Sequence, residues 1–588
     1  MQNGDLPPSP LSAEAVAGVD DPDLKQLLAD HWEWTMWWWP TWATTLGDHR
    51  FDDRLSPVDT ASIGRFAAER REFLRRARAL GDARFGVSDR VTWALFASTL
   101  EGEVGTDSCR FHEWLVQAGS ASLLSELSYL VARHPLGAPA DGDNLVSRLE
   151  QSAQVVDDSI ANLRTGLADG RVAPAEAVRR AIAQLDAELE KPIGERAMTK
   201  PARGENRALE TWPEAARERF RAQLLGIVQN GLGPALGRLR AMLKSEILPR
   251  ARTEREGLIG LPDGEACYAA TIRAHLGMAR SPKELHELGL REIARTDREI
   301  AELGKSALGT PDLASTIERL RTDRELFFNS GDEIVQTAQR ALDRARAAMP
   351  SAFGVLPKAD CVVSIIPDYE APYTFIAYYR RPHYDGSKPG EYFVNTYQPE
   401  TRPRFEFEAL SWHEAIPGHH VQIAIAQELG RIPAFRRFTG STAYVEGWAL
   451  YTERLADELG LYSSELDRLG MASADAWRAS RLVVDTGIHA FGWTRQRAEA
   501  FIFAHTASSP SNISNEVDRY IGYPGQALAY KVGQLEILSL RREAEKVLGS
   551  GFKLSAFHDV VLGGGAVTLP VLGDRVREWI EAERRRER

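Results

Sequence analysis

Cysteine is scarce in this chain. Cys109, Cys267 and Cys361 are the only three among 588 residues. They are widely spaced, odd in number and form no C-x-x-C pair, so the sequence predicts reduced thiols and neither a disulfide framework nor a cysteine-based metal ribbon. No apolar run reaches the ~18 residues that a membrane span needs, so no membrane span is expected. The opening stretch MQNGDLPPSPLSAEAVAGVDD lacks the basic start and apolar core of a secretory signal. A cytoplasmic protein is the simplest expectation, although a chain stripped of its signal would look the same. Basic charge is not in excess either: the net charge is −11 and the isoelectric point about 5.8. The arginines are dispersed among acids, with no basic stripe and no interleaved aromatic platform, which argues against nucleic acid. Internal repeats, low-complexity tracts and long linkers are also missing.

What is present is ordinary globular composition, 43% hydrophobic and 26% charged, with material for a large core. The length by itself allows about four domains. Apolar residues recur at three-and-four spacing over Pro174 to Lys191, Trp212 to Leu248 and Pro282 to Leu303, which predicts helices. The tryptophan-rich WEWTMWWWP, Trp32 to Pro40, suggests a membrane-interface belt. A buried N-terminal helix accounts for it better. Strand-like runs are confined to about 360 to 400. One of them, PGEYFVNTY from Pro389 to Tyr397, is expected as an edge strand along which an extended substrate lies, with Tyr392 and Asn395 as candidate substrate contacts. A plain sheet strand is the alternative.

The densest chemical signal is WHEAIPGHHVQ, from Trp412 to Gln422. A zinc hydrolase needs two neutral imidazoles and an anionic ligand on the ion, plus a carboxylate beside it to take a proton from water. In HExxH helices the second histidine follows the first by one turn. Here His419 and His420 follow His413 by six and seven residues, and an unbroken helix would hold their anchors roughly 9 to 10 Å apart. Pro417 and Gly418 disfavour a continuous helix, by about 3 and 1 kcal/mol, and the sequence therefore predicts that AIPG loops out and brings the histidines together. A polar turn with capping histidines is the bland alternative. HELGLREI at His286 imitates the motif but has Leu290 where a second ligand would stand, and is discarded.

A third ligand is expected on the helix predicted between Ser441 or Thr442 and Gly460. From Ser441 to Thr452 its only charged residue is Glu446, set among Tyr444, Val445, Trp448, Leu450 and Tyr451. A carboxylate in such surroundings must be paired, protonated or bound to a metal. Glu453 and Asp457 lie on the same side as Glu446, and for them a solvated face is as good a reading.

These segments carry a resemblance. HEAIPGHHVQ, EGWALYTERL, RLVVDTGIHAFGW and YPGQALAYKVG are similar to the bacterial family known as domain of unknown function 885, and TWATTLGDHRFDDRL, APYTFIAYYRRP and PGEYFVNTY extend the likeness over most of the chain. That family is distantly similar to gluzincin metallopeptidases. The resemblance implies a zinc (Zn2+) site made of His413, one of His419 and His420, and Glu446, with Glu414 as general base. It also implies a mainly α fold: a helical bowl with a small β-sheet beside a deep cleft, divided into an N-terminal helical lobe (1–355) and a metal-binding catalytic lobe (356–588), which could also be one integrated domain.

Two further segments bear on the chemistry. Arg478, Arg481, Asp485 and His489 form a polar stripe along one predicted helix. His489 is a candidate oxyanion donor, paired with Asp485, and either arginine could grip a substrate carboxylate; an internal salt-bridge network is the alternative. Tyr523 and Tyr530 flank the PGQ turn, and by analogy with gluzincins one of them is expected to stabilise the oxyanion. The expected function is zinc-dependent hydrolysis of a short peptide or peptide-like small molecule, with association into a homodimer left open. Hydrolysis of a non-peptide amide and a catalytically inactive metal-binding helical protein are the alternatives.

Overall fold

The three-and-four patterned segments are helical in the computed structural model, which describes residues 7–119, 122–203, 207–367, 371, 376–383, 386 and 388–586. The fold is mainly helical with one small sheet. The chain divides into two units, one comprising Met1–Asp89 with Thr106–Cys267 and the other Arg90–Gly105 with Tyr268–Arg588. No described helix is long and apolar enough to cross a membrane.

In the first unit, α1 (Pro22–Trp38) starts at Asp21, whose carboxylate accepts the N–H groups of Asp23 and Leu24 and so satisfies donors that the helix leaves unpaired. The tryptophans of this helix serve packing. Trp32, Trp34 and Trp38 are buried, and the indoles of Trp34 and Trp38 both donate to Glu69 of α2 (Thr60–Leu80), at 2.8 and 2.9 Å. The helices at Ala175–Glu190 and Glu214–Ile227 close around a core that includes Leu185, Phe220 and Leu224. One expectation fails here: Cys109 and Cys267 form a disulfide, their Cα atoms 4.9 Å apart. A separation of 158 residues in sequence gives no local hint of the pairing. Cys361 alone is a free thiol, and it is buried.

The second unit contains α3 (Pro282–Leu308), α4 (Gly331–Ala352), the strands β1 (Cys361–Ile365), β2 (Ala377–Arg380) and β3 (Gly390–Val394), and then α5 (Phe407–Glu414), α6 (His419–Glu428), α7 (Thr442–Glu458), α8 (Glu465–Ala490), α9 (Pro510–Gly522) and α10 (Ala529–Leu548). Position 355 lies inside this unit, because Ala341, Leu342 and Ala345 of α4 share one apolar cluster with Trp412 and Trp448. The strand order is β1-β3-β2, with β3 parallel to β1 and antiparallel to β2. The strand expected at an edge is therefore the central one. Tyr392 is wholly buried, its hydroxyl 3.2 Å from Ser411 Oγ, and the buried Asn395 amide donates to the Ala371 carbonyl at 2.7 Å. Both side chains hold the sheet to its neighbours, which corrects their expected role as substrate contacts. Residues 372–375 of APYTFIAYYRRP lie outside the described residues.

Candidate metal centre

The helix break predicted at Pro-Gly takes a specific form. α5 ends at Glu414, and Gly418 approaches its last turn so closely that a Cβ there would stand 1.9 Å from the His413 carbonyl oxygen and 2.4 Å from that of Trp412. Only glycine fits this approach. α6 starts immediately afterwards at His419. Two side chains of α7 hold the turn from behind: the Trp448 indole donates to the Pro417 carbonyl at 3.1 Å and the Thr452 hydroxyl to the Trp412 carbonyl at 3.0 Å. As a result the ring centroids of His413 and His419 are 4.9 Å apart, about half the spacing along a continuous helix.

Glu446 of α7 completes the group. Its Oε2 lies 3.6 Å from the Nε2 atoms of both His413 and His419, and one donor atom from each of the three residues falls within 4.8 Å of the others. A tetrahedral zinc with ~2.0–2.1 Å bonds keeps its ligand atoms about 3.4 Å apart, so the donor set suits an ion of that size. His420 takes no part. Its Nδ1 accepts the Tyr379 hydroxyl at 2.9 Å and its Nε2 donates to the Ala359 carbonyl at 3.1 Å, leaving neither nitrogen for an ion. Of the two histidines that the sequence left open, His419 is the one in the cluster.

A buried carboxylate orients the first imidazole. His413 Nδ1 donates to Glu453 Oε1 at 2.8 Å, and Arg478 Nη2 stands 3.4 Å from the same oxygen. With its Nδ1 proton held by Glu453, the neutral ring would offer Nε2 to an ion, the arrangement that second carboxylates impose on metal-bound histidines. Glu453 is 1% exposed, which corrects the solvated-face reading. The available signal was its position two turns after Glu446, on the same helix face.

Opposing effects set the protonation of the group. Burial disfavours the His413 cation, but Glu446 and Glu453 outweigh it and raise the imidazole to about 9. Burial would raise Glu446, yet His413, His419 and Arg481 bring it down to about 2. For His419 burial prevails and lowers the ring to about 4. Glu414 is pushed up to about 7, chiefly by burial with help from Glu446, against His413, Arg478 and a backbone N–H of Tyr379.

The sequence profile described as "Bacterial protein of unknown function (DUF885)" matches residues 40–576. The chain belongs to this family. No curated protein matches it. The solved structure of a Colwellia psychrerythraea protein called a "putative lipoprotein" is similar at 26% identity and TM-score 0.87, over 95% of this chain and 99% of that one. A Shewanella oneidensis "putative lipoprotein of unknown function" shares the fold at 18% identity and TM-score 0.75, over 94% of this chain and 98% of that one.

Other expected residues of this DUF885 chain occupy varied places. Arg478 braces Glu453, as above. Arg481, one turn further along α8, donates from Nε to the Tyr520 hydroxyl at 3.0 Å and pairs with Glu516 at 3.1 Å. Asp485 and His489 do not pair. Asp485 accepts the Tyr268 hydroxyl at 2.5 Å and the Gly525 N–H at 3.2 Å, while His489 Nε2 donates to the Tyr520 carbonyl at 3.0 Å. His489 thus secures α9, which corrects its reading as an oxyanion donor. Tyr523 is half exposed against the His275 ring. Tyr530 faces the cluster: its ring stacks on the Arg481 guanidinium at 4.2 Å, and Glu446 adds to the burial that raises its hydroxyl. α7 and α10 cross at Gly447 and Gly533, so closely that a Cβ on Gly447 would lie 2.4 Å from Gly533 Cα. Glu446 adjoins the crossing, and Tyr530 is one turn from it.

Proposed function

We propose that this protein is a zinc-dependent hydrolase of peptide or peptide-like amide bonds. The reading is carried by one observation: His413, His419 and Glu446 present donor atoms within 4.8 Å of one another, with Glu414 next in sequence to the first of them. When bound, zinc supplies Lewis acidity, making water more acidic and a carbonyl more electrophilic. Glu414 takes the proton of the attacking water and returns it to the departing nitrogen. The Tyr530 hydroxyl donates to the oxygen on which negative charge develops. Glu453 and Arg478 hold the His413 ring in its productive tautomer. The gluzincin likeness of the HE pair and the downstream glutamate agrees with this division of roles.

Replacing Glu414 by Gln keeps shape and removes the base. The variant is expected to retain stoichiometric zinc by elemental analysis and to lose peptide hydrolysis by at least about 100-fold; full turnover would refute the assignment. Location enters the same reading. A disulfide and relatives named as lipoproteins favour a compartment where disulfides persist over the cytoplasm. Alkylation of the denatured protein should then label one thiol, Cys361, before reduction and three after it.

A further inference from the structure

Behind Tyr530 lies a group of charges in which one buried guanidinium is incompletely hydrogen-bonded. Arg481 and Arg519 both pair with Glu516, at 3.1 and 3.0 Å, and Arg519 Nη1 donates to Gln526 Oε1 at 2.8 Å. The two guanidiniums share the one Glu516 carboxylate. The Arg481 plane is fixed by rings, with Trp477 at 4.5 Å and Tyr530 at 4.2 Å from its Cζ. Its Nε and Nη2 are engaged, but Nη1 is buried and has no hydrogen-bond partner, and the side chain is only 4% exposed. An unsatisfied N–H on a buried cation costs free energy unless a ligand supplies an acceptor. Arg478, one turn earlier on the same helix, stands 3.4 Å from the Glu453 carboxylate that holds His413, so Arg481 belongs to the surroundings of the cluster.

We infer that Arg481 is the anchor for a substrate carboxylate, and that the enzyme acts on substrates ending in a free α-carboxylate beside the scissile amide: as an exopeptidase from the C-terminus or on N-acyl amino acids. A carboxylate oxygen offers Nη1 the acceptor it lacks in a charge-assisted bond, whereas an internal peptide carbonyl offers only a weaker, neutral acceptor. The stacked, tethered guanidinium is preorganised for this contact, which limits the entropy lost on binding. The inference rests on the hydrolase reading for the word substrate, but the anchor itself can be measured by binding.

The probe pair is N-acetyl-Ala-Ala and its C-terminal amide, titrated by calorimetry into the full chain carrying Glu414→Gln, both zinc-loaded and chelator-treated, with zinc content measured separately. The acid is expected to bind at least about 10-fold tighter than the amide, and Arg481→Lys or Arg481→Met to shrink that ratio to about 3-fold or less. Equal binding of acid and amide in both forms of the Glu414→Gln chain overturns the anchor without any Arg481 variant having to fold. If zinc is absent while the acid preference persists and falls with Arg481, the anchor stands and the hydrolase reading fails. If zinc and hydrolysis are present without acid preference, the hydrolase stands and the anchor fails.

Discussion

The crossing of α7 and α10 makes a severe prediction about Gly533. A methyl group there would place its carbon 1.8 Å from the Ala443 carbonyl oxygen and 2.7 Å from Gly447 Cα. Both obstacles are backbone, which cannot swing aside as a side chain does. Comfortable carbon contacts lie near 3.5 Å or beyond, so in Gly533→Ala the helices must part by more than about 1 Å, at a cost of about 1–3 kcal/mol or more for overpacking. Glu446 is fixed to α7 next to the crossing, and a zinc–oxygen bond of ~2.0–2.2 Å does not survive an ångström of displacement. The variant is therefore expected to unfold at lower denaturant and to bind zinc at least about 10-fold more weakly. Gly64→Ala supplies the contrast: that residue lies within α2 with nothing within 4 Å of its added Cβ, and the change should stabilise by about 0.5–1 kcal/mol through helix propensity. Chemical denaturation followed by circular dichroism, with a competitive zinc titration on the same samples, reads both effects. Wild-type stability and zinc affinity in Gly533→Ala would refute the claim that this crossing positions the ligand.

Glu453→Gln keeps the volume behind His413 but loses the carboxylate at 2.8 Å, and should weaken zinc binding 10- to 100-fold in the same titration; unchanged affinity would remove Glu453 from the site. Asp485 is raised by burial from 3.8 to about 7, so between those values the native state holds a proton that the unfolded chain has released, and stability falls as pH rises. Relative to Asp485→Asn, the wild type should lose up to about 4 kcal/mol from pH 4 to pH 7; parallel stability curves would contradict the burial argument. Reducing the Cys109–Cys267 disulfide opens a loop spanning 158 positions, for which chain entropy gives a loss of up to about 5 kcal/mol. Thermal melts with and without reductant check this, and coincident melts would show that the link contributes nothing to stability.

Much of the site was local enough to be legible in the sequence. HE, PG and HH in one short segment announce a helix that must fold back, because proline and glycine oppose the helix that the histidines would otherwise extend. Glu446 stood out because a lone carboxylate among large apolar residues needs a partner. The strands between 360 and 400 and the long helices followed from period and length. What period cannot supply is partner identity. His419 and His420 are adjacent and chemically equal, and only the distant Tyr379 and Ala359, which engage both nitrogens of His420, separate them. Glu453 has the spacing of a solvated residue until α5 packs against it. The central place of β3, the disulfide across 158 positions and the stacking of Tyr530 on Arg481 while Tyr523 stays half exposed are likewise set by contacts between segments remote in sequence. The sequence by itself determined which segments hold the candidate site and where the helix must break, since both depend on neighbours along the chain. Tertiary structure alone decided which atoms are free to act, since that depends on what packs against them.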